Sequence, residues 1–143
     1  MKKTILTILA TLLLFPSISL ARNLVDEVEV KILPFSQINR EYPRIGGGAF
    51  INYPTGQKDL IVIADIFSPR LFYITLLHEL GHFFLQDTSE AKMREMLNDY
   101  KSSFKTIQEE SASSFVRTMT DLKSSTLNMR IFWAEILQDY LTR

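Results

Sequence analysis

The chain has 143 residues, 46% of them hydrophobic, with five Gly, five Pro and no Cys. That is enough for one compact domain with an ordinary core, and nothing divides it into two. Its 16 basic residues balance 16 acidic ones without forming a basic patch or helix face, which excludes nucleic acid as the expected partner. Without Cys, no thiolate can act as nucleophile or metal ligand, although an oxidising compartment remains compatible.

Lys2 and Lys3 precede an apolar run from Ile5 to Phe15, then Pro16, then Ser19-Leu20-Ala21. This has the charged start, apolar middle and small-x-small end of a signal peptide. Residues 1–21 are therefore expected to be removed after Ala21, leaving an exported domain, residues 22–143, in the periplasm or outside the cell. The run is shorter than the roughly 20 apolar residues that span a bilayer, so no stable membrane association is expected after cleavage. Cleavage removes two lysines and no acid, which leaves the mature chain mildly acidic.

Val28, Val30 and Ile32 alternate with Glu29 and Lys31, the period of a half-buried strand, and Pro34 ends it. A polar loop is expected over residues 36–44. Gly46-Gly47-Gly48, Ala49 to Tyr53, a turn at Pro54-Thr55-Gly56 and the run Leu60 to Ala64 read as an antiparallel hairpin. The first of its strands is a candidate edge for an extended peptide, the glycines serving either close approach or a flexible turn.

Ser68-Pro69 is a helix start, with a hydroxyl to cap free N–H groups and Pro at a position that lacks a partner anyway. The helix predicted from there to Gln86 is apolar around most of its circumference and should be buried. Thr75, His78, Glu79, His82 and Gln86 fall at spacings of three and four, forming one polar stripe. Buried polar groups need partners, because leaving one unpaired costs about 2 to 7 kcal/mol. A metal is the economical partner: two His at i and i+4 reach one Zn²⁺, and the intervening Glu is placed to act as general base. The HELGH sequence uses the only two histidines of the chain, and Gly81 suits a close helix contact.

With no third His, the remaining protein ligand must be a carboxylate. Glu109 and Glu110 open a later helix able to cross the first. Thr106 and Glu109 stand three apart, as in a capping box, which gives Glu109 a structural task. Glu110 is favoured as the ligand and Glu109 is the alternative. The last helix, after Ser125 or Thr126, is amphipathic, with Trp133 expected in the core.

Over about Val28 to Met119 the chain resembles the ImmA/IrrE family of small zinc-dependent peptidases. The likeness rests on SPRLFYITLLHELGHFFL, with Thr75 three residues before His78, and on ESASSF at Glu110 to Phe115, similar to the family's E-x-A-N-x-F element with Ser113 in place of Asn or Asp. The resemblance implies that Glu110, matching the Glu of that element, is the third zinc ligand.

The expected fold is α+β: a small antiparallel sheet packed on a helical bundle that carries the HExxH helix in a zincin-like arrangement. The expected function is a zinc-dependent metallopeptidase acting on a peptide or protein substrate, with Zn²⁺ on His78, His82 and Glu110 and with Glu79 as general base. Tyr53, Tyr73, Tyr100 and Arg117 are unranked candidates for stabilising the oxyanion. The competing expectation is a catalytically inactive, zinc-bound module that binds peptides in the same cleft.

Overall fold

The alternating run before Pro34 forms strand β1 (Val28–Leu33), preceded by a helical segment at residues 23–27. A computed structural model describes residues 23–43, 46–98, 102–121 and 123–143; the expected signal peptide, residues 1–21, lies outside them. Where a polar loop was expected, Pro34 caps helix α1 (Phe35–Glu41). Its φ of −54° suits that place, and Ile38, fully buried, fastens the helix to the sheet.

Strands β2 (Gly48–Ile51) and β3 (Asp59–Ala64) form the expected antiparallel hairpin, in register from Gly48↔Ile63 to Ile51↔Leu60. The sheet as a whole corrects the antiparallel expectation. β1 pairs with β3 in parallel, from Val28↔Asp59 to Leu33↔Ala64, and the strand order is β1-β3-β2. Parallel neighbours need a long crossover, which the segment containing α1 and β2 supplies. Central β3 is covered on both faces: Leu60, Val62 and Ala64 pack with Ile38, and Ile61 and Ile63 join the helical core. Double coverage is the physical reason that this run is apolar without alternation.

β1 differs from its expected burial. Of its three alternating apolar residues only Val28 is buried, while Val30 and Ile32 are 45% and 58% exposed; Leu33, on the other face, packs partly against the cluster of Ile38. Val30 and Ile32 occupy an edge of the sheet beyond the reach of the helices.

Four further helices follow: α2 (Pro69–Phe84), α3 (Glu90–Met96), α4 (Phe104–Thr120) and α5 (Leu127–Thr142). Each is capped by a hydroxyl side chain, from Ser68, Ser89, Ser103 and Thr126 respectively, that accepts from a first-turn N–H. The last helix buries Met129, Phe132, Trp133 and Tyr140 and leaves Leu127 and Ile131 exposed. Trp133 is in the core as expected, its Nε1–H donating to Ser114 Oγ at 2.8 Å. No helix among the described residues is long and apolar enough to cross a membrane.

The contact that positions the site is between α2 and α4. A Cβ on Gly81 would stand 3.0 Å from Ala112 Cα and 3.1 Å from Ala112 O. The missing side chain lets the two backbones approach and brings one face of α4 over the polar stripe. The α+β class stands, with a mixed sheet of three strands against a helical bundle.

Candidate metal centre

The stripe on α2 finds a partner for each of its charged or amphoteric members. His78 and His82, one turn apart, present their Nε2 atoms to each other at 3.2 Å. α4 contributes a carboxylate: Glu109 Oε2 lies 3.1 Å from His78 Nε2, and Glu109 Oε1 lies 3.5 Å from His82 Nε2. One donor atom from each residue falls within 4.8 Å of the others.

The donor set and its spacing fit a divalent cation. Two nitrogens bound to one tetrahedral zinc at about 2.0–2.1 Å stand roughly 3.3 Å apart, close to the separation between these two imidazoles. Three protein donors of the N, N, O type also leave a coordination position free, unlike the closed four-ligand sets of structural zinc sites.

Glu110, the expected ligand, does not join this group. Its Oε2 pairs instead with Arg117 Nη2 at 3.5 Å. The reason lies in where α4 begins. Ser103, rather than Thr106, is the cap, its Oγ accepting from Thr106 N–H at 3.3 Å. Thr106 therefore stands inside the first turn, and the capping box that would have occupied Glu109 does not form. Ala112 must face Gly81; Glu109, three residues before it, lies about 60° round the helix and Ser113 about 40° beyond that, both flanking the contact, whereas Glu110 is rotated about 160° from Ala112.

Glu79 is buried, with 7% of its surface exposed. Burial pushes its carboxyl up from 4.5 to about 7, the charge of Glu109 adds to the rise, and a hydrogen bond from the Phe50 backbone N–H opposes it. That donor lies on β2, at the strand edge turned away from β3. The strand comes this near because residue 48 is Gly: a Cβ there would meet Thr75 Cγ2 at 2.4 Å and Glu79 Oε1 at 3.1 Å. Close approach is thus the role of this glycine. His82 is held below its ordinary pKa, chiefly by burial, with Glu109 raising it and His78 lowering it. A lowered pKa favours the neutral imidazole that a metal requires.

Two partners were not legible as such in the sequence. Ser113 Oγ stands 3.4 Å from His78 Nδ1; with Nδ1–H donating there, Nε2 keeps its lone pair towards the donor group. Gln86, the last residue of the stripe, donates from Nε2 to Asp59 Oδ2 at 2.9 Å, and Asp59 Oδ1 also accepts from Tyr53 N–H at 2.9 Å. Asp59 thereby ties the hairpin to the C-terminal end of α2. Helical spacing singles out Gln86, but its partner comes from a distant strand.

Comparison with protein-family models, curated proteins and solved structures finds no match. The site therefore has to be read from its own chemistry. His78, Glu79, His82 and Glu109 line a cleft of about 1370 Å³ whose opposite wall includes Gly48, Ala49 and Phe50. Of the candidate oxyanion groups, Tyr53 lines this cleft, Tyr73 is exposed on α2, Arg117 is paired with Glu110, and Tyr100 lies outside the described residues.

Proposed function

We propose that this protein is a zinc-dependent metallopeptidase, with His78, His82 and Glu109 as metal ligands and Glu79 as general base. One observation carries the reading: three metal-type donors converge on one point beside a buried carboxylate whose affinity for protons is tuned close to neutrality. A structural metal site has no use for such a base, whereas hydrolysis needs one.

When bound, zinc supplies a Lewis acid and a water acidified from a pKa of about 15.7 towards 7. The remaining work falls to the chain. Glu79 accepts a proton from the attacking water at its carboxylate and delivers it to the leaving amine, a role worth about 10² to 10⁴ in rate. The Phe50 N–H orients the carboxylate. Ser113 holds His78 in the tautomer that leaves Nε2 free. An extended peptide lying along β2 gains backbone hydrogen bonds from the edge groups other than the Phe50 N–H, which Glu79 holds, and so runs past Glu79.

A zincin-like fold, membership of the ImmA/IrrE family and export after cleavage behind Ala21 belong to the same proposal. They are supported by HELGH, by the helix over residues 69–84, by the hairpin before it and by the leader-like composition of residues 1–21. N-terminal sequencing of exported material should begin at Arg22, and a sequence retaining earlier residues would contradict cleavage there.

The direct test is digestion of a broad peptide library by zinc-loaded protein, with and without chelator, beside Glu79→Gln of confirmed zinc content. Turnover that chelation and Glu79→Gln both abolish is expected. No turnover by the wild-type chain, with equal peptide binding by both forms, would replace the peptidase by a zinc-bound peptide-binding module.

A further inference from the structure

His78 lines two cavities. One is the long cleft along β2. The other, between α2 and α4, is a recess of about 350 Å³ walled by Ile74, Thr75, His78, Ser113, Val116 and Arg117. Its size is at the low end of small-molecule cavities, roughly 300–1,000 Å³, and suits a single side chain. Ile74 and Val116 give it two aliphatic walls. Ile74 is half-buried, yet it belongs to neither hydrophobic core cluster, so its side chain is not consumed by the fold. Arg117, the one permanently charged wall, is already paired with Glu110. It disfavours a basic occupant without offering a free cation to an acidic one.

We propose that this recess is a specificity pocket for an apolar side chain, belonging to the peptide residue next to the bond cleaved at the His78, His82 and Glu109 group. The inference rests on the peptidase reading of that group and adds a substrate class to it. Because His78 contributes to both walls, a peptide crossing the donor group leaves the cleft on one side and meets the recess on the other. The side chain that turns in there removes apolar surface from water against Ile74 and Val116, a gain of roughly fourfold in affinity for each buried methylene. A basic side chain at that position meets the Arg117 charge and gains nothing to offset its desolvation.

The test uses zinc-loaded full-length protein and two probes that anchor through the same hydroxamate, acetohydroxamate and 4-methylpentanohydroxamate, measured by titration calorimetry. The branched probe should bind about tenfold more tightly or better. Ile74→Trp, which fills the recess, should erase that gain while leaving zinc content and acetohydroxamate affinity unchanged. If the added bulk disrupts folding, Ile74→Ala serves instead: by widening the recess it should move the preference towards 3-phenylpropanohydroxamate. Equal affinities for the two probes in the wild-type chain, or a gain that survives Ile74→Trp, would overturn the pocket and leave the metal centre standing. Failure to retain zinc, or zinc without acetohydroxamate binding, would instead remove the reading of the centre and the pocket with it.

Discussion

Glu79 is held where its charge is unwelcome, and in the metal-free protein that should be measurable as stability. The carboxyl is raised from 4.5 to about 7 by burial first and by Glu109 second. Between those two pH values the folded state binds the proton more tightly than the unfolded chain does. Stability is therefore fully present below about 4.5, falls as pH rises, and levels off above 7 with a loss of roughly 3 kcal/mol. Glu79→Gln removes the ionisation, yet its amide oxygen can still accept from the Phe50 N–H. In urea unfolding with a chelator present, followed by circular dichroism, Glu79→Gln should match the wild type at pH 4 and exceed it by about 3 kcal/mol at pH 8. A difference that does not change with pH, or a Gln variant less stable at pH 8, would refute the reasoning.

Gly48→Ala should cost about 1 to 3 kcal/mol of stability by overpacking, because the new methyl would stand 2.4 Å from Thr75 Cγ2; denaturant midpoints should show Gly48→Ala/Thr75→Ser regaining most of the loss, and no recovery would contradict the contact. Ser113→Ala should weaken zinc affinity about 10- to 100-fold in competition with a chromophoric chelator, since His78 loses the partner of its Nδ1, and unchanged affinity would dismiss Ser113 as a positioning residue.

The sequence exposed those parts of the site that depend on one helix. Ser68-Pro69 announced α2, and spacings of three and four within it placed His78, Glu79 and His82 on one stripe, because α-helical geometry is local. The hairpin was legible for the same reason, its turn residues lying between two apolar runs. The third member of the donor group depends on how α2 and α4 cross and on where α4 starts. A three-residue error in that start, Thr106 taken for Ser103 as cap, gave Glu109 a spurious structural task and moved the choice to Glu110. Gly81 against Ala112 settles the rotation, and no single segment contains that contact. Strand direction was likewise hidden: β1 alternates in the same way whether it runs parallel or antiparallel to β3, and only the path through α1 and β2 decides. Alternation also placed Val30 and Ile32 on one face without revealing that the helices stop short of them.

The most direct measurement of the central claim is metal stoichiometry across the two adjacent glutamates. Mature protein and its Glu109→Ala and Glu110→Ala variants would be loaded with zinc, dialysed and submitted to elemental analysis. One zinc per chain is expected in the wild type and in Glu110→Ala, which loses only a solvent-accessible ion pair with Arg117 worth about 0–1 kcal/mol. Glu109→Ala should lose most of its metal, because only His78 and His82 remain of the three converging donors. Full zinc in Glu109→Ala, with loss in Glu110→Ala, would contradict the assignment of the centre.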